Sequence, residues 1–228
     1  MSDVDDVARV REALTGPAAT APDLPLGRFL AALADLDDEV ARRHRELGLS
    51  PSTSRETLAD IPRKLAAYPS AIDVGWLLGI ARADVVALGR LQFERTAAPD
   101  GRAVHVPEDG PLDPAAVDAS LARAVAFFGG GALTCTTWLL DPLLADVVPG
   151  SNLDAFARRF SLGPVVRDAE GDRVVAKFVF RRPLAEVLDP DLVQPRTRVE
   201  RCVAARLRAG GHWSEPRGTL TLPAPPSP

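Results

Sequence analysis

The chain has three histidines, and one of them, His105, closes the apolar run "RAVHV" just before "PEDG". Imidazole titrates closest to neutral pH of all side chains, and a neighbouring carboxylate can fix its tautomer. His105, with Glu108 and Asp109 just beyond it, is therefore a candidate general base. A histidine bonded only to the backbone of its own turn would leave the same pattern. Cys135, in "TCTTW", has no basic residue nearby to ionise it, so it reads as a buried small hydrophobe rather than a nucleophile. Trp138 follows it as core or as the wall of a pocket. Arg158 and Arg159 in "ARRF" could grip an anionic group or simply lie exposed on a helix. His212 and Trp213 come directly after a diglycine, which predicts a mobile, aromatic-tipped loop able to close over a ligand.

Other chemistries have no support. There is no dinucleotide glycine fingerprint, Walker loop, HExxH, paired Cys/His spacing or GxSxG elbow, so no metal is expected. The glycines 129 to 131 read as a helix end. Two cysteines are too few for a disulfide scaffold. A net charge of −4 and a pI near 5.5 argue against nucleic acid as a partner. Apolar stretches such as "DVGWLLGIARADVVALG" are broken by Asp73, Arg82 and Asp84, so no membrane span is expected. The acidic start "MSDVDD" is the reverse of a signal peptide, which makes the cytoplasm the expected location. Only two of the 27 basic residues are lysines, Lys64 and Lys177, a bias that fits a GC-rich coding sequence.

The elements that must carry these residues fall into two blocks. Residues 1–87 read as a helical domain. "DVDDVARVREALTG" has an acidic first turn and stops at Gly16 and Pro17. "LGRFLAALADLDDEVARRHRELG" places Phe29, Leu30, Leu33, Leu36 and Val40 on one face. A serine cap opens "SPSTSRETLADIPRKLAAYP", and "DVGWLLGIARADVVALG" closes the block. Residues 88–222 read as a mixed domain. Strands are expected in "GRLQFERT", "RAVHV", "GALTCTTWLL" and "GTLTLP". Helices are expected after Asp113 and Pro114, in two short pieces around "PGSN" where Ser151 or Asn152 caps, and in "PRTRVERCVAARLRAGG". "SLGPVVRDAEGDRVVAKFVFRR" reads as a hairpin about "AEGD". The Pro-rich tail 223–228 reads as disordered.

The segments "LGRLQFE", "HVPEDGPLD", "CTTWLLDP", "SNLDAFARRF" and "LRAGGHW" appear in that order, and the chain resembles a bacterial family of acyltransferase-domain proteins. That family joins a helical N-terminal domain to a GNAT-like C-terminal domain, the fold of the GCN5-related N-acetyltransferases. The resemblance implies an α+β chain: a helical N-terminal domain followed by a GNAT-like mixed β-sheet domain flanked by helices. It further implies that "RAVHV" and "LTCTTWLL" are neighbouring strands that splay apart to admit an acyl-CoA, with His105 and Cys135 facing or flanking that cleft. One departure stands out. Where the fold uses a glycine- and arginine-rich loop to bind the CoA pyrophosphate, this chain has "PEDGPLDP", whose Glu108, Asp109 and Asp113 would repel phosphate.

The implied function is transfer of an acyl group from a thioester donor, acyl-CoA or a carrier protein, to the amine of a small molecule. His105 or Glu108 would take the amine's proton. Asp109 in the acidic loop would draw in a cationic amine, and Cys135, Trp138, Asn152, His212 and Trp213 complete the expected substrate contacts. Arg158 and Arg159 would bind the donor's phosphates. The competing reading is a non-catalytic module of the same fold that senses a ligand or docks a protein. A hydrolase pairing Cys135 with His105 or His212 lacks any activating context.

Overall fold

In a computed structural model, residues 3–16, 20–69 and 72–224 are described. The chain divides into two compact units, one of Met1–Thr96 with Val106–Asp109, the other of Ala97–His105 with Gly110–Pro228.

The first unit holds six helices among its described residues: α1 (Val4–Thr15), α2 (Leu26–Ala34), α3 (Asp37–Glu46), α4 (Pro51–Leu58), α5 (Asp60–Ala67) and α6 (Val74–Ala81). The Asp3 carboxylate caps α1 by accepting from the Asp5 N–H, while Ser50 caps α4 through the Thr53 N–H. Apolar residues at helical spacing, among them Val10, Leu14, Phe29, Leu33, Leu36 and Val40, meet Leu77 and Leu78 in one core. Three buried polar side chains of this unit, Asp6, Arg82 and His44, are matched. Asp6 is fully buried and receives a two-pronged bond from Arg28, at 2.6 and 2.8 Å. Buried Arg82 crosses to the end of α1, donating to the carbonyls of Ala13, Leu14 and Gly16, where the helix dipole favours a cation. His44 is fully buried between the Ser54 hydroxyl at 2.9 Å and the Ala81 carbonyl at 3.1 Å.

The helical reading of "DVGWLLGIARADVVALG" needs correction at its end. Helix α6 stops at Ala81, Ala83 takes a left-handed φ of 57°, and Val85–Ala87 forms strand β1, antiparallel to β2 (Gln92–Glu94). Two adjacent valines suit a strand better than a last helical turn. The expected stop at Pro17 lies outside the described residues, as do 225–228 of the expected disordered tail.

The second unit contains β3 (Arg102–His105), α7 (Pro114–Phe128), β4 (Gly131–Thr136), α8 (Leu143–Val147), α9 (Asn152–Ala157) and β5 (Ser161–Leu162). These are followed by α10 (Ala169–Val175), α11 (Leu184–Leu188), α12 (Arg198–Arg208) and β6 (Arg217–Leu222). Its strands run β3-β4-β6-β5 across the sheet. β3 and β4 are parallel, joined through α7, whereas β4 with β6 and β5 with β6 are antiparallel. Asp113 caps α7 through the Ala116 N–H, with Pro114 at the first helical position.

The expected hairpin around "AEGD" is instead helix α10, continued by a π-helical turn over Ala176–Phe180 and ended by Arg181 in the left-handed region. Asp168 caps it twice, accepting from Glu170 and Gly171 N–H groups at 3.0 Å. Val175, Ala176, Val179 and Phe180 fall at helical spacing onto a core with Leu144, Val187, Val203, Leu207 and Trp213. Burial of that stripe outweighs the β preference of valine and phenylalanine. β4 likewise ends earlier than "GALTCTTWLL" suggests. The Thr137 hydroxyl accepts from the Leu139 N–H and turns Trp138–Leu140 into a 3₁₀ segment.

Candidate functional site

The parallel ladder between β3 and β4 has two rungs, Arg102 with Leu133 and Ala103 with Thr134. Both strands continue, β3 through Val104 and His105, β4 through Cys135 and Thr136. On its other side β4 stays paired with β6 along its whole length, to Thr136 opposite Arg217. The sheet therefore opens on one side of β4 only, between the ends of β3 and β4. A gap of this kind leaves backbone donors and acceptors facing an incoming chain. His105 stands on its rim, partly exposed. Cys135 lies on the other strand but is 2% exposed, and burial, helped by the charge of Glu215, pushes its thiol up to about 12. Such a sulfur stays protonated and packs; it is no nucleophile.

Past the end of β4 the chain is held by a polar network. The Thr137 N–H donates to the Pro216 carbonyl at 3.3 Å. Buried Asp141 accepts from the Ser214 N–H at 2.9 Å and the Ser214 hydroxyl at 2.6 Å on one oxygen, and from Arg167 at 2.9 Å on the other. Asp172 accepts from the Trp213 N–H at 2.8 Å with one oxygen and pairs with Nδ1 of His212 at 2.6 Å with the other. Gly171 is needed here, because a Cβ at that position would lie 2.3 Å from the Trp213 carbonyl oxygen.

This geometry corrects the expectation of a mobile "GGHW" loop. Trp213 is fully buried with its backbone bonded on both sides, the Asp168 N–H donating to its carbonyl. His212 does remain half exposed, its outer nitrogen turned away from the Asp172 pair. Trp138 packs against the core that holds Trp213. Asn152 is exposed in the first turn of α9, whose cap is Ser151. Arg158 pairs with Asp154 at 2.9 Å on an otherwise exposed surface. Arg159 donates to Asp118 at 2.7 Å and to the Pro114 carbonyl at 3.3 Å, so it sits against the first turn of α7.

In the first unit, the acidic loop after β3 is neutralised. Glu108 accepts from Lys64 at 2.9 Å and from the Tyr68 hydroxyl. Burial alone would raise this carboxyl, but the Tyr68 and Lys64 bonds outweigh it and hold it below the usual glutamate range. Asp109 pairs with Arg63 at 2.9 Å, and Arg90 donates to the Pro107 carbonyl at 2.9 Å. Three cations thus surround two carboxylates, and the repulsion expected of "PEDG" toward phosphate is largely cancelled. The third carboxylate, Asp113, is spent on the α7 cap.

One residue gave no signal in sequence. Glu215 is half buried beside β6, and it has no hydrogen bond or ion pair with any described residue. Burial raises its carboxyl above the usual value, Glu170 adds to this and Lys177 opposes it.

A family model, the GNAT-like C-terminal domain, matches residues 85–220. The chain belongs to that family. Solved structures resemble it over almost the whole chain. An acyltransferase in complex with decanoyl-CoA and teicoplanin is 30% identical with a TM-score of 0.81, covering 96% of this chain and 76% of the other. An acyltransferase with CoA and 10C-teicoplanin is 29% identical with a TM-score of 0.80, over 96% and 76%. A third, with decanoyl-CoA alone, is 28% identical with a TM-score of 0.73, over 96% and 75%. No curated protein matches. The fold is thus α+β and GNAT-like with a helical N-terminal region, and among the described residues no helix is long and apolar enough to cross a membrane.

Proposed function

We propose that the protein transfers an acyl group from acyl-CoA to an amine of a small molecule. The observation that carries this reading is the two-rung ladder between β3 and β4. It opens the sheet beside His105 in a domain whose solved relatives hold CoA or acyl-CoA. A thioester arm lying in the gap would bond the free edge of a strand, and a backbone N–H there would polarise its carbonyl. His105 takes the proton of the attacking nitrogen. Glu108, already bonded to Lys64 and Tyr68 and acidified by them, is the weaker base and serves to fix the loop. Arg159, which donates to Asp118 and the Pro114 carbonyl beside α7, is our candidate for the donor's phosphates, because a guanidinium suits anions. Exposed His212 and Asn152 offer polar contacts to the acceptor, which the relatives' glycopeptide suggests is bulky.

The test has two parts. Decanoyl-CoA and free CoA should each raise the melting temperature, by a few degrees at a hundredfold excess over Kd. Decanoyl-CoA with teicoplanin or a set of simple primary amines should then release CoA and form an amide. Binding without transfer to any amine would favour a ligand-sensing module of the same fold; no binding at all would remove both readings.

A further inference from the structure

We propose that Glu215 takes the first proton from the acceptor's ammonium group, a task separate from that of His105. This rests on the acyltransferase reading and adds to it a reaction step that the transfer requires.

An aliphatic amine arrives at neutral pH as R–NH₃⁺, which has no lone pair to attack with. Two protons must leave the nitrogen before an amide is complete. In the proposed sequence one passes to the Glu215 carboxylate and from there to water. The freed lone pair then forms the N–C bond at the thioester carbonyl. As the adduct collapses, the C–S bond breaks, and the second proton leaves through His105 and ends on the departing CoA thiolate. The balance is one amide, one CoA thiol and one proton released to solvent.

Three observations place Glu215 in this role. First, it adjoins the open end of β4. The Pro216 carbonyl next to it binds the Thr137 N–H, one residue beyond the last residue of β4, and its charge reaches Cys135, the first β4 residue past the paired rungs. Second, its backbone is anchored on both sides. Trp213 is held by Asp172 and Ser214 by Asp141 on one side, and Pro216 by Thr137 on the other. Such anchoring keeps a reacting group at fixed geometry. Third, the carboxylate itself has no partner among the described residues, although it is half buried. A neighbouring guanidinium would make it a poor base, and none is bonded to it. The charged and titratable groups acting on it are Glu170 at the start of α10, Lys177 in the π-helical turn and Cys135 on β4. Burial and Glu170 raise its basicity and Lys177 restrains it, which suits a group that must both accept and release a proton.

The experiment compares wild type with Glu215→Gln, using decanoyl-CoA and whichever amine of the set is acylated fastest, across pH 6 to 9. The expected deficit in kcat/KM for the amine is about 100-fold at the acid end. It should shrink as pH approaches the amine's own pKa, where neutral amine is supplied by the solution. KM for decanoyl-CoA and the thermal shift with CoA should be unchanged, and Glu215→Asp should recover part of the rate. A deficit that stays constant across pH would mean a shape or packing role and would overturn the proposal. So would full activity of Glu215→Gln, which leaves the acyltransferase reading intact. Absence of transfer by wild type itself would bring both readings down together.

Discussion

Glu108 and Glu215 are two half-buried glutamates in different units of the chain, and they answer burial in opposite ways. In each case leaving water raises the carboxyl. For Glu108 an ammonium and a phenol outweigh that effect, and the group ends below its ordinary range. For Glu215 nothing outweighs it; Glu170 adds to the rise and Lys177 only moderates it. Burial therefore does not decide whether a carboxylate is a strut or a reagent; its partners do. The first unit matches Asp6 to Arg28 and Arg82 to the end of α1. The second unit does the same with Asp141 and Asp172, whereas the Glu215 carboxylate has no hydrogen bond or ion pair among the described residues.

The most disruptive way to break this comparison is to remove what holds Glu215 in place. Asp141→Asn would turn an amide against either Ser214 or Arg167, both of which donate to it. The expected cost is about 3 kcal/mol, read as a lower midpoint in urea. Acyl transfer should fall with it even at temperatures where the variant remains folded. A variant as stable as wild type would show that the Asp141 network does not fix this end of the sheet.

Next in size, Lys64→Met would make Glu108 resemble Glu215. The methionine keeps the aliphatic stem and removes the charge, leaving the carboxylate with Tyr68 alone. Because the pair is mostly but not wholly buried, with side chains 16% and 20% exposed, about 2 kcal/mol is the expected loss. Glu108 should then titrate higher, which carboxylate-labelled NMR can follow. An unchanged titration would mean that the Tyr68 bond alone sets its acidity.

These contrasts were only partly legible in sequence. Helix α7 announced itself through Asp113 and Pro114, and strand β4 through its threonines and aromatics, because caps and β-rich composition are local signals. Helix α10 was hidden by "RVVAKFVF", whose β-rich composition hides a helical stripe that shows only once Trp213 and Val203 are seen to cover it. The position of His105 at a strand end was readable, whereas the fate of Glu108 was not, since Lys64 and Tyr68 lie 44 and 40 residues upstream. Glu215, in "HWSEPR", has nothing near it that marks it. Its character comes from what the fold buries it against, with no partner bonded to its carboxylate among the described residues.

A smaller effect should differ in sign between the two carboxylates. Glu108→Gln deletes a favourable pair and should destabilise at neutral pH, by about 1 kcal/mol. Glu215→Gln deletes an unpaired charge and should leave stability equal or slightly higher, as expected where function is kept at the expense of stability. The pH dependence follows the same signs. A lowered carboxyl contributes stability above the unfolded value of about 4.3, and loses it as pH falls through the folded value. A raised one contributes below that unfolded value, and the contribution is lost as pH rises through the folded value. Wild type minus Glu108→Gln should therefore shrink on acidification, and wild type minus Glu215→Gln should become more favourable. Two variants with the same sign at neutral pH would erase the distinction drawn between them.

The smallest expected effect concerns Cys135, which senses Glu215 across the end of β4. Its thiol is raised to about 12, chiefly by burial and secondarily by that carboxylate. In the folded protein a maleimide at pH 8 should label the partly exposed Cys202 and leave Cys135 unmodified. Removing the charge with Glu215→Gln should quicken Cys135 labelling only slightly, because the larger cause remains. Rapid labelling of Cys135 in wild type would mean that the gap between β3 and β4 admits solvent down to the strand. The thiol would then line the cleft instead of backing it, and Glu215 would face water too freely to keep its raised basicity.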